Sequence, residues 1–290
     1  MTYEKSISSN EPGLVTLLID RSTSMEQKIG GIKGTVPKSV CVAQNVNRVL
    51  TEMCLRNTKE IGGRPVIKPR IEVCLIGYGG DADDPNSVKF AFEGPLSSRE
   101  IVTLPELSTN YKKLETYTTP GTDDNFQMPV WIEPRADGKT PMGLAFRCAA
   151  NVIDKWASRH KTSFPPILLN FTDGEANDVT AIELKTIAQE LKQIQTVDGN
   201  LLLFNCHIAS KASRPCMLPS SLEEIPRSNA ARLMFEISSV LPPAMQQLAR
   251  NRGFKNITDQ ARGFAYNADS ANFVHFLQIG TVGLTEIFRG

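Results

Sequence analysis

Leu14-Val15-Thr16-Leu17-Leu18-Ile19-Asp20-Arg21-Ser22-Thr23-Ser24 is the stretch from which the fold of this chain is read. The run from Leu14 to Ile19 is nearly continuous in apolar character, as expected of a parallel strand covered by helices on both faces. It ends in D-x-S-x-S, which delivers a carboxylate and two hydroxyls to one point. Oxygen ligands of low net charge suit a hard divalent ion such as Mg²⁺, which prefers octahedral geometry and keeps several of its waters.

Three side chains from one loop cannot surround an octahedral ion, so further oxygens must come from elsewhere. Asp173 follows a second apolar run, Pro166-Ile167-Leu168-Leu169-Asn170-Phe171-Thr172, and precedes Gly174, which permits a tight exit. Thr140 precedes Pro141 and the helical pattern Met142, Ala145, Cys148, Ala149, Val152, Ile153 and Trp156. Threonine before proline at a helix start is the expected N-cap and N1 pairing. Each residue also has a plainer reading: Asp20, Ser22 and Ser24 as a capping turn, Thr140 as a cap only, Asp173 as a turn residue. Their order along the chain favours the metal site.

D-x-S-x-S at Asp20, Ser22 and Ser24, the T-P-x-G threonine Thr140 and the T-D-G aspartate Asp173 together resemble the metal-ion-dependent adhesion site of von Willebrand factor type A (vWA) domains, with all five positions filled. The resemblance implies that Ser22, Ser24 and Thr140 ligate Mg²⁺ or Mn²⁺ directly, and that Asp20 and Asp173 hold its waters. It also implies an open vertex for a glutamate or aspartate from a protein partner. Such a site gains from an incoming acid because its protein ligands are mostly neutral. Within that family, T-L-L-I-D-x-S-x-S-M, T-P-M-G-x-A and N-F-T-D-G-E look most like bacterial tellurium-resistance-associated (TerY-like) proteins. That similarity implies a non-enzymatic scaffold or regulator in a stress or defence system, beside a protein kinase and a PP2C-type phosphatase.

Two other classes compete. An assembly subunit for a separate AAA-type ATPase, as in chelatase-like systems, would use the same domain. A Mg²⁺-dependent hydrolase with Asp20 or Asp173 as base or nucleophile is the weakest reading, since haloacid-dehalogenase phosphatases need an aspartate where this chain has Ser22.

At 290 residues, 41% hydrophobic, with a net charge of +1, the chain can bury a large core and offers no global field for nucleic acid or a membrane. No signal-peptide pattern and no run of the roughly 20 apolar residues that span a bilayer is present, which points to the cytoplasm. The six cysteines, at 41, 54, 74, 148, 206 and 216, never form C-x-x-C and read as reduced core thiols rather than a disulfide or zinc set. The N-x-T sequons at Asn170 and Asn256 read as chance.

Apolar runs at 14–20, 71–78, 166–172 and 200–208 predict buried parallel strands, and amphipathic stretches at 35–57 and 180–196 predict helices between them. The fold class is therefore α/β, a doubly wound, Rossmann-like, mostly parallel sheet with helices on both faces, in the strand and helix order of the vWA fold. A single domain over 1–290 is expected, with its core over about 10–210. An insertion over about 94–137 leads into Thr140 and reads as a long polar loop near the metal face or a spacer, with a hairpin or strand around Met128 to Ile132. An extension over about 211–290 completes the fold: an amphipathic stretch broken at Pro242-Pro243, a strand near Gly263 to Tyr266, and a helix carrying Phe273, Phe276, Leu277, Gly280 and Leu284.

Arg21, Glu175 and Asp178 flank the motif residues and read as solvated loop positions. Gly138-Lys139-Thr140 imitates the end of a P-loop, but Glu133 stands where glycine is required. Gly30-Gly31-Ile32-Lys33-Gly34 lacks the spacing too. His160, His207 and His275 have no catalytic context, and His207 reads as a satisfied core residue.

Overall fold

The computed structural model describes residues 2–31, 34–118, 125–209, 214–268, 275, 276 and 279. The N-terminal half runs through β1 (Gly13–Asp20), a 3-10 turn (Thr23–Glu26), the ribbon β2 (Lys28–Gly31) and β3 (Gly34–Pro37), and α1 (Lys38–Arg56). A second ribbon, β4 (Thr58–Ile61) and β5 (Arg64–Ile67), is followed by β6 (Ile71–Tyr78), β7 (Val88–Phe90), β8 (Val102–Thr103) and α2 (Leu104–Thr109). A third ribbon, β9 (Lys113–Thr118) and β10 (Asn125–Val130), leads to α3 (Met142–Arg159), β11 (Ile167–Thr172), α4 (Ala181–Leu191) and β12 (Leu202–His207). The chain closes with β13 (Cys216–Met217), α5 (Asn229–Ile237), α6 (Pro243–Asn251) and β14 (Phe264–Tyr266).

The main sheet has the order β13-β14-β12-β11-β1-β6-β7, with β8 also paired to β6. β1 is parallel to both neighbours, with Leu17 opposite Leu75 on β6 and Leu169 on β11. β12 and β14 extend the parallel set, while β7, β8 and β13 pair antiparallel at the margins. Every residue of β1 is buried. Val15, Leu17 and Ile19 pack with Val42, Val46, Leu50 and Met53 of α1, whereas Leu14 and Leu18 pack with Phe146, Ala149, Ile153 and Trp156 of α3. Two helical layers, one on each face, are the reason the strand reads as continuously apolar instead of alternating. Each such leucine contributes about 1.5–3 kcal/mol by burial. The expected doubly wound α/β sheet is what the chain forms.

Connections from β1 run first to β6 on one side and then, through α3, to β11 on the other. The order reverses between β1 and β11, and crevices at such reversals, beyond the carboxyl ends of strands, are where doubly wound sheets bind ligands.

Residues 94–137 hold the strand expected near Met128, β10 paired with β9, and further regular elements where a long polar loop was expected. α2 carries a complete capping box between Thr103 and Glu106. Trp131, 1% exposed, donates its indole N–H to the carbonyls of Leu107 and Asn110 at 3.0 and 3.1 Å. Asn47 of α1 fastens the segment: its Oδ1 accepts from the Trp131 and Ile132 amides and its Nδ2 donates to the Ile132 carbonyl. The part of this segment at 119–124 lies outside the described residues, as do Ile32 and Lys33.

The break at Pro242-Pro243 separates α5 from α6, with Pro243 in the first helical position where its missing N–H costs nothing. Of the closing helix, Phe273, Leu277, Gly280 and Leu284 lie outside the described residues, while Phe276 is buried 6.2 Å from the Phe204 ring. None of the six cysteines is in a disulfide, and burial pushes the Cys54 thiol up to about 12. Among the described residues no helix is long and apolar enough to cross a membrane.

Candidate metal centre

Asp20 is the last residue of β1 and is fully buried. Its Oδ1 accepts the Ser22 amide at 2.9 Å, closing the turn that begins D-x-S-x-S, and its Oδ2 accepts the Thr172 hydroxyl at 2.7 Å. Thr172 is the last residue of β11, so one carboxylate joins the two strand ends that flank the crevice. Burial pushes the Asp20 carboxyl up to about 6, against hydrogen bonds from Ser22 and Thr172 that favour its charged form.

Past Asp20 the chain enters the 3-10 turn, anchored by the buried Met25, whose amide donates to the Ser22 carbonyl at 2.9 Å. The turn sets the Ser22 and Ser24 hydroxyl oxygens 3.0 Å apart. Adjacent vertices of an octahedron with metal–oxygen bonds of 2.0–2.1 Å are also about 3 Å apart. Ser24 donates to Asp173 Oδ1 at 2.6 Å. Asp20, Ser22, Ser24 and Asp173 are thus brought together by direct hydrogen bonds or by one shared neighbour.

Thr140 arrives from the other side. Its amide donates to Asn177 Oδ1 at 2.9 Å and its carbonyl accepts from Asn177 and Met142. It is not the N-cap of α3, contrary to expectation, since Pro141 holds that position without a side-chain cap. The capping is done by Asp178, whose two carboxylate oxygens accept the Gly143 and Leu144 amides at 3.1 and 2.7 Å. An acid at the positive end of a helix is a stable arrangement, and it corrects the reading of Asp178 as a solvated loop residue. The Thr140 hydroxyl is left out of these bonds and faces the Asp173-Gly174 turn, 4.0 Å from where a Cβ on Gly174 would stand.

The donor set fits a hard divalent ion. Both oxygens of Asp20 are engaged by Ser22 and Thr172, which suits a carboxylate that orients its surroundings, while the hydroxyls of Ser22, Ser24 and Thr140 retain lone pairs.

Sequence reasoning missed Lys38. This first residue of α1 is buried, and its Nζ donates to Asp173 Oδ2 at 2.6 Å and to Gln27 Oε1 at 3.1 Å. A signal was present: Lys38 lies on the stripe continued by Val42, Val46, Val49 and Met53, at the helix end where a cation is disfavoured.

Four further residues, Arg21, His207, Glu175 and Gly138, surround the cluster. Arg21 is half-buried where a solvated position was expected: its guanidinium lies over Gly77, its Nε and Nη2 are buried with no partner among the described residues, and burial lowers its pKa to about 10. His207, at the end of β12, stacks on Tyr266 with centroids 5.4 Å apart, but its buried Nδ1 has no partner among the described residues. Burial lowers its pKa to about 4, with Asp173 raising and Lys38 lowering it. Glu175 is exposed, as expected. Gly138, at φ +65°, has its carbonyl bonded to the Thr23 amide and would clash with the Gly80 backbone if it carried a Cβ. Its role is close backbone approach, which holds Thr140 against the motif loop.

No family model matches the chain, and no curated protein matches it. Among solved structures it is similar to a von Willebrand factor type A protein from Catenulispora acidiphila, with a TM-score of 0.41 and 11% identity over 96% of this chain and 42% of that one. It is also similar to the manganese-loaded TRAP protein of Plasmodium vivax, with a TM-score of 0.40 and 14% identity over 92% of this chain and 72% of that one. The chain therefore spans about two fifths of the length of the first of these, by the 42% coverage.

Proposed function

We propose that this chain is a vWA-type, divalent-metal-dependent protein-binding module in which Ser22, Ser24 and Thr140 hold Mg²⁺ or Mn²⁺ and Asp20 and Asp173 orient the site around it. The ion would supply an electrophilic vertex for a glutamate or aspartate of a protein partner. The observation that carries this reading is the hydrogen-bonded chain Ser22, Ser24, Asp173, set beside Asp20 at the point where strand order reverses.

The same geometry supports a non-enzymatic role. Asp20 and Asp173, the candidate base or nucleophile of the hydrolase reading, each have both carboxylate oxygens occupied within the fold. The proposal extends to a TerY-like regulator in a bacterial stress or defence system, with a kinase and a PP2C-type phosphatase as partners, and to the cytoplasm, where six thiols without a disulfide would be stable.

Calorimetric titration of the purified chain with Mn²⁺, in wild type and in Ser24→Ala, tests the site. Saturable binding that Ser24→Ala weakens at least tenfold is expected. Pull-downs in Mg²⁺ and in chelator then test the role, with capture lost in chelator and in Ser24→Ala. Equal capture in both buffers would reject a metal-bridged contact.

A further inference from the structure

Lys38 brings a full positive charge into a site whose oxygens suit a cation. Its side chain and that of Asp173 are each 1% exposed, with Nζ and Oδ2 2.6 Å apart. The lysine is also held at its root, since its amide donates to the Gln27 carbonyl at 3.0 Å while its Nζ reaches Gln27 Oε1. Gln27 ends the turn that carries Ser24. Ammonium and serine hydroxyl therefore divide one carboxylate between them, Lys38 on Oδ2 and Ser24 on Oδ1.

Stability alone is a poor reason for this residue. A buried ammonium is costly to desolvate, the start of a helix repels it, and an apolar side chain would continue the stripe of Val42 and Val46. The charge matters to the site. Asp20 and Asp173 contribute two formal negative charges and Lys38 one positive, so an arriving divalent ion meets a net charge of about −1 in place of about −2.

Resting on the metal reading proposed above, we infer that Lys38 is a built-in counter-cation, which neutralises Asp173 when no ion is bound and keeps the affinity of the unpartnered site for divalent metal low. A partner's carboxylate restores the missing negative charge. Metal and partner then bind as a coupled pair, each raising the affinity for the other by the same factor.

The test uses the full chain without partner, with Mn²⁺ titrated calorimetrically into wild type, Lys38→Met and Lys38→Gln. Both variants are expected to bind Mn²⁺ roughly tenfold or more tightly than wild type. Their thermal midpoints should rise with Mn²⁺ more than the wild-type midpoint does. Variants that bind no more tightly than a wild type that does bind would overturn the counter-cation and leave the metal reading intact. Folded proteins that all fail to bind Mn²⁺ would overturn the metal reading and this inference with it. Should Lys38→Met fail to fold alone, recovery of its circular dichroism on adding Mn²⁺ supports the inference. No recovery, together with unimproved binding by Lys38→Gln, counts against it.

Discussion

Asp178 Oδ2 accepts the Leu144 amide at 2.7 Å, so the loop leaving β11 caps the helix that starts two residues after Thr140. The two loops of the candidate site are therefore one mechanical unit, tied twice more by Asn177 to the Thr140 backbone. Asp178→Ala removes an acceptor from two helix-start amides and is expected to cost about 1 kcal/mol, within the range of lost N-caps. Urea unfolding at constant m-value measures this. Asp178→Asn should recover part of the loss, and a cost near zero would mean that water replaces the cap.

Acidity should act on Asp20 and His207 with opposite signs. The Asp20 carboxyl is pushed from 3.8 up to about 6 by burial, so between those values the native state holds a proton the unfolded chain has released. Native stability therefore falls by about 3 kcal/mol as pH rises through that window, and stays down above it. In chelator, Asp20→Asn should match wild type near pH 4 and exceed it by about 3 kcal/mol at pH 7. Thr172 can accept from the new amide and turn its own proton toward the Gly174 carbonyl, 3.4 Å away.

His207 runs the other way. Its pKa is lowered from 6.5 to about 4, so the unfolded chain takes up a proton first and stability is lost as pH falls through that window. His207→Phe keeps a ring against Tyr266 and removes the titration. Its stability relative to wild type should improve by about 3 kcal/mol between pH 7 and pH 4, read from unfolding midpoints at each pH. An unchanged difference would show that His207 protonates as readily in the native state.

The strands were legible because burial on both faces leaves apolar runs too short for typical helices: Ile71–Tyr78 is found at the residues expected. The hydroxyls and acids of the candidate site stood out as a pattern of residue types after two strands and before a helix, and Ser22, Ser24 and Asp173 of that pattern meet in the structure. Lys38 did not stand out, because a lysine at a helix start reads as surface unless its place on the buried stripe is weighed above its charge. Thr140 was misread as a cap since Thr-Pro is a local signal, whereas the actual cap, Asp178, lies 34 residues from Leu144. The segment before Thr140 was legible only at its strand near Met128, for a similar reason. Its order comes from Asn47 and Trp131, which sit 84 residues apart.

Asn47 should be among the costliest polar residues to remove. Asn47→Ala would leave the amides of Trp131 and Ile132 and the carbonyl of Ile132 unpaired in a buried setting. At 1–3 kcal/mol for each unsatisfied group, the loss should reach about 3 kcal/mol or more. Equilibrium urea unfolding would reveal it, and a loss below about 1 kcal/mol would mean that water enters to take over these bonds.

Thr140 separates a structural from a ligating role. Its backbone, not its hydroxyl, makes the bonds that hold the start of α3, so Thr140→Ala should lower stability by only about 0.5 kcal/mol, as for a substitution that removes no cap. Mn²⁺ affinity should fall at least tenfold in the same protein, because one of the three neutral oxygens proposed to hold the cation is gone. Thr140→Ser keeps the oxygen and should bind within a few-fold of wild type. Calorimetry and urea unfolding on the two variants give four numbers. Loss of stability in Thr140→Ala with unchanged Mn²⁺ binding would move Thr140 out of the metal centre and back to the helix.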